Sequence, residues 1–202
     1  MKSTLIRLYA PAFLIITAVI GLSDFTGREI GDFTRDPATV MAFNPFIGLL
    51  SNLGILIWSA TASCCFFAAA VLKTKDQDRK ITLFLFFSGL LTTLLLFDDF
   101  FLLHEKVWVK LFNVEEMTIF LIYVILTLIY LFRFRKLLMK TSLYFLILAF
   151  GFFSVSIAVD FFFVAGKHAF WHYLFEDGLK FFGIISWFHY FTQVSLQTVI
   201  LE

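Results

Sequence analysis

Two adjacent aspartates, Asp98 and Asp99, stand inside the apolar run LLLFDDFFLLHE, which closes on His104 and Glu105. Carboxylates at membrane depth are costly and are normally retained for a task. Carboxylate oxygens with imidazole nitrogens are donors for a divalent cation, and the same groups can pass protons. A second stretch, HAFWHYLFEDGLKFFGIISWFH, brings His168, His172 and Glu176 at spacings of four. On a helix that spacing makes one stripe whose neighbours can reach a common ion. Lys180 continues the stripe and could neutralise Glu176 instead. Asp160 lies in another apolar run, at a depth that matches Asp98 and Asp99.

These positions give a candidate metal set of Asp98, Asp99, His104, Glu105, Asp160, His172 and Glu176. Zinc, manganese, iron and calcium are not distinguished by it. Ser186, His189, Gln193 and Gln197 form a further polar stripe, a candidate proton path with His189 as its titrating member. The competing reading of that stripe is interhelical hydrogen bonding in a packed bundle. For the histidines it is an aromatic belt around Trp171 and Tyr173. No catalytic residue is assigned.

Helical phase refines the first run. Asp98 and Glu105, seven residues apart, share a face of a continuous helix, about 10 Å apart along its axis at ~1.5 Å per residue. Asp99 is turned by ~100° and continues the stripe of Ser88 and Thr92. The two aspartates therefore point towards different neighbours.

The elements that must hold these groups are membrane-spanning helices. The chain has 202 residues, 60% hydrophobic and 15% charged, a balance that selects the polytopic membrane class. A formal net charge of +1 argues against a nucleic-acid partner. No polar stretch is long enough to form a separate soluble domain, so residues 1–202 read as a single transmembrane bundle. Six segments reach the ~20 apolar residues needed to cross a bilayer: 5–22, 46–72, 82–104, 115–132, 141–165 and 179–200. With six alternating spans, ten Lys and Arg fall on the side of the N-terminus and six on the other. The excess marks the first side as cytoplasmic and places both termini there, in a bacterial inner (plasma) membrane or its equivalent. The histidines and most acidic residues then map to the outer side or outer half.

Small residues in the second segment, among them Gly54, Ala62, Ala69 and Ala70, suit a central, closely packed helix. The uniformly apolar fourth segment suits lipid or a membrane-protein partner, met through aromatic-rich helices. Cys64 and Cys65, neighbours in an apolar run, read as buried thiols.

The DDxxxxHE run and the later EDGLKxxGIxxW resemble an uncharacterised group of bacterial multi-pass membrane proteins. The likeness covers Asp98 to Glu105 and Glu176 to Trp187, and more weakly Gly48 to Trp58. It implies a site and no particular reaction. A looser similarity is to ceramidase-like membrane hydrolases, which combine Ser, Asp and three His around zinc in seven helices. His168, His172 and Asp160 or Asp98 would be the matching residues. Three functions follow as expectations: a cation-binding or proton-relaying membrane protein, a metal-dependent intramembrane hydrolase, or an accessory subunit of a larger membrane complex.

Overall fold

The computed structural model describes residues 2–75, 78–162 and 169–201, with residues 2–5, 7–8, 169–171 and 201 described by backbone alone. The described residues are mostly helical, with no strand among them. The chain divides into two compact units, residues 1–49 and 50–202.

The first unit contains α1 (Lys2–Thr26) and two single-turn helices, α2 (Gly31–Thr34) and α3 (Pro37–Val40). Asp36 starts α3, accepting from the backbone N–H of Ala38 at 2.8 Å and of Thr39 at 3.3 Å, with Pro37 in the first helical position. The apolar side chains of α1, Phe13, Leu14 and Ile15 among them, are exposed.

The second unit contains α4 (Leu49–Thr74), α5 (Arg79–Phe101), the wide π-helical turn Leu103–Val107, α6 (Trp108–Phe112), α7 (Glu116–Leu138), α8 (Tyr144–Phe162) and α9 (Ala169–Leu201). Its centre is α9, which buries Ile184, Trp187, Tyr190, Phe191 and Val194. Trp187 meets Trp58 of α4 edge-on, donates its indole N–H to Thr92 of α5 at 3.1 Å, and packs against Phe150 and Phe153 of α8. One face of α4 buries Gly54, Ala62, Cys65, Ala68 and Ala69 and packs closely, as the small residues suggest, while Ala70 is exposed. In α7 most apolar side chains are exposed, and Tyr130 ties the helix to α5 through a 2.6 Å hydrogen bond with Ser88.

Among the described residues, five helices are long and apolar enough to cross a membrane: α4, α5, α7, α8 and the Tyr9–Thr26 part of α1. Their exposed apolar surface is compatible with contact to lipid. The sixth expected segment lies within α9, where His189, Gln193 and Gln197 dilute the apolar run.

Helices α8 and α9 approach closely at Gly183. A Cβ added there would stand 2.5 Å from Cε1 and 2.6 Å from Cδ1 of Phe153. That ring is stacked on Trp58 at 5.8 Å and cannot swing freely. Gly183→Ala should therefore destabilise the protein by about 1–2 kcal/mol, because overpacking outweighs the gain in helix propensity. Unfolding of the purified variant in detergent measures this, and a variant as stable as wild type would refute the tight contact.

Candidate functional site

Helix α5 ends immediately after the two aspartates. Leu102 adopts a left-handed conformation (φ 52°) and its N–H bonds to the carbonyl of Asp98, so the last turn closes on itself. The chain then enters the wide Leu103–Val107 turn. The expected continuous face of Asp98 and Glu105 does not form, because the helix breaks between them. Instead the Asp98 carboxylate reaches forward across the break. It accepts the backbone N–H of His104 at 3.0 Å, the His104 ring N–H at Nδ1, and the Tyr123 hydroxyl of α7 at 2.7 Å. Both Asp98 and His104 are buried.

The two aspartates do point to different neighbours. Asp99 accepts the Trp58 indole N–H of α4 at 2.9 Å and forms an ion pair with Lys180 of α9. Lys180 thus pairs with Asp99 rather than being reserved for Glu176.

A cavity of about 1050 Å³ opens beside these pairs. Its walls come from α4, α5, the wide turn, α7, α8 and α9, and include Trp58, Tyr123, Phe153 and Trp187. The polar groups facing it include Asp98, Asp99, His104, Glu105, Glu116, Asp160, His172, Glu176 and Lys180. All seven expected metal-set residues therefore line one cavity, although they divide into smaller groups within it.

One group is Asp160 of α8 with His172 and Glu176 of α9. Each offers a donor atom, and these atoms all lie within 4.8 Å of one another. His172 Nε2 is 3.5 Å from Glu176 Oε2, while its Nδ1 is buried without a hydrogen-bond partner among the described residues. The Ser156 hydroxyl donates to the Glu176 backbone carbonyl at 2.8 Å and fixes the start of α9 against α8. His168, the other member of the expected stripe, lies outside the described residues.

The other group surrounds His104. Its Nε2 is 3.7 Å from Glu105 Oε1 and 3.9 Å from Glu116 Oε1. Burial disfavours the imidazolium, but the hydrogen bond to Asp98, with the charges of Asp98 and Glu105, outweighs burial and raises the His104 pKa above its ordinary value.

The expected proton path is placed elsewhere. His189 packs edge-on against Phe145 at 4.1 Å, Ser186 donates to the carbonyl of Phe182, and Gln193 and Gln197 are exposed. None of these residues lines the cavity.

Tyr123, Trp58 and Glu116 belong to the site but not to the expected set. Tyr123 sits in a uniformly apolar run, where nothing separates it from a lipid-facing tyrosine. Trp58 ends the run GLLSNLGILIW, and its role depends on α5 approaching α4. Glu116 opens α7 as the second of two adjacent glutamates, and only the fold turns it towards the cavity.

Comparison with curated proteins and with solved structures finds no match. Residues 8–194, nearly the whole chain and both candidate stretches, match the family described as a domain of unknown function (DUF8692), and the chain belongs to that family.

Proposed function

We propose that the protein is an integral membrane protein of six spans with both termini cytoplasmic, and that its outer-side carboxylate/histidine cluster binds a divalent cation. The sixth span is residues 179–200 of α9, and the ten-to-six division of Lys and Arg gives the orientation. A bacterial inner membrane or its equivalent is the location this implies.

The observation that carries the cation reading is the convergence of Asp160, His172 and Glu176 within 4.8 Å. Two carboxylates and an imidazole suit zinc, manganese or iron, while calcium would need further oxygens. Clustered carboxylates repel one another without a counter-charge, and a cation removes that cost. A proton relay draws less support, because His189, Gln193 and Gln197 are not among the residues that line the cavity.

A ligand that binds the folded state stabilises it by about 2.7 kcal/mol at a hundredfold excess over its Kd. The melting temperature of the purified protein should therefore rise with zinc or manganese and fall with chelator. His172→Ala and Glu176→Gln should blunt the response. If chelator, zinc, manganese and calcium all leave wild-type melting unchanged, the cation reading fails and the accessory-subunit reading takes its place.

The cavity favours a second reading, a metal-dependent hydrolase. Its walls include Leu95, Val124, Leu128, Leu131 and Ile157, an apolar lining able to receive an acyl chain next to the donors. There the ion would activate water and Glu105 or Glu176 would move the proton. Cleavage of an amide- or ester-linked lipid only by metal-loaded protein would establish it.

A further inference from the structure

We propose that the cavity binds a single-chain amphiphile with a primary ammonium head, its chain lying between α7 and α8 and its head among the carboxylates. This goes beyond the cation reading and needs no metal.

The two helices that flank the cavity both grade from polar to apolar along its wall. On α7, Glu116, Phe120, Val124, Leu128 and Leu131 line it at spacings of three or four, which is one face of the helix. That face is about 22 Å long at ~1.5 Å per residue. On α8 the lining runs from Asp160 through Ile157 to Phe150. A single apolar stripe on each helix suits one chain rather than two. The volume of about 1050 Å³ stands at the upper end of the ~300–1,000 Å³ usual for small-molecule sites. Val124, Leu128 and Ile157 line the apolar stretch and are also exposed, so a chain can enter sideways from the bilayer.

Charge selects the head. Asp98 is engaged by His104 and Asp99 by Lys180. Five other carboxylates line the cavity, Glu105, Glu116, Asp160, Glu176 and Asp177, and Lys106 is the one further Lys or Arg among the lining residues. A divalent cation at Asp160, His172 and Glu176 would still leave carboxylates in excess. A phosphate or sulfate head would be repelled there, and an uncharged head would leave the excess standing. An alkylamine, with a pKa near the ~10.4 of a lysine side chain, carries its positive charge at neutral pH.

Hydrogen bonding narrows the head further. The His172 side chain lines the cavity and is 10% exposed, yet its Nδ1 has no hydrogen-bond partner among the described residues. With Nε2–H turned towards Glu176, that nitrogen is an acceptor. A primary ammonium brings three N–H donors to such acceptors, whereas a trimethylammonium brings none.

The test is binding of radiolabelled dodecylamine at pH 7 to chelator-treated protein in phosphatidylcholine nanodiscs, with empty nanodiscs subtracted. Wild type should show one saturable site per chain. Dodecanol, dodecyl sulfate and dodecyltrimethylammonium should each compete at least tenfold more weakly than unlabelled dodecylamine. Leu128→Trp, which fills the apolar stretch from an exposed position, should weaken binding at least tenfold, and Glu116→Gln several-fold. Absence of saturable binding, or equal competition by any of the three other heads, overturns the inference. So does unchanged binding by Leu128→Trp. Binding that appears only after zinc or manganese is added also overturns it, while supporting the cation reading. Should Leu128→Trp misfold, the competition among the four heads still decides.

Discussion

Lys180→Met is expected to lower unfolding free energy by about 3 kcal/mol, the lower end of the ~3–5 kcal/mol seen when one partner of a buried ion pair is removed. The lower end applies because the two partners differ in burial. The Asp99 side chain is 10% exposed, whereas that of Lys180 is 38% exposed. Methionine keeps most of the apolar stem but leaves Asp99 with only the Trp58 indole N–H as a described partner. The stranded charge, not the lost attraction, dominates the cost. Adding Asp99→Asn should therefore restore most of the stability, since an amide can still accept from Trp58. Denaturation of the four proteins of this cycle in detergent measures the effect. A Lys180→Met variant within 0.5 kcal/mol of wild type would show that solvent or lipid headgroups replace the pair.

Asp98→Ala should be as damaging, for a different reason. Three donors converge on this carboxylate: the backbone and ring N–H groups of His104 and the hydroxyl of Tyr123. Each buried donor left without an acceptor costs ~1–3 kcal/mol, and the losses overlap, so the net is about 3 kcal/mol. The pH dependence should change as well. The folded-state pKa of His104 is raised, so the stability it contributes is fully present below the unfolded value of about 6.5 and is lost as pH rises through the folded value. Metal-free wild type should thus lose stability across that window, and Asp98→Ala should not. Melting curves over pH 5–9 in chelator test this, and equal slopes for the two proteins would remove His104 as the titrating group.

What could be read in advance follows from how local the signal is. Apolar composition over twenty residues is a local property, so the helical class and the spans of α4, α5, α7 and α8 were legible. So was the divergence of Asp98 and Asp99, which follows from one residue's rotation on a helix. The break at Leu102 was not. FDDFFLLHE contains no Gly, Pro or Asn to mark a turn, and a leucine in the left-handed region has no sequence signature. Its cause is tertiary: the capping carboxylate is held by Tyr123 of α7, whose place beside α5 no local pattern announces. Gly178 posed the reverse problem. It weakens a helix on propensity, yet α9 runs through it, because Ser156 and the packed face of α9 hold the segment in place.

The central position of α9 also sets an order of events in the life of the chain. Helices α4, α5 and α8, which close around it, all precede it in the sequence. A chain emerging from the ribosome presents those segments to the membrane first. Until α9 arrives, Thr92 has no indole to accept and Asp99 has no lysine to neutralise it. The half-made protein therefore carries an uncompensated carboxylate among its early helices until α9 brings Lys180 to it.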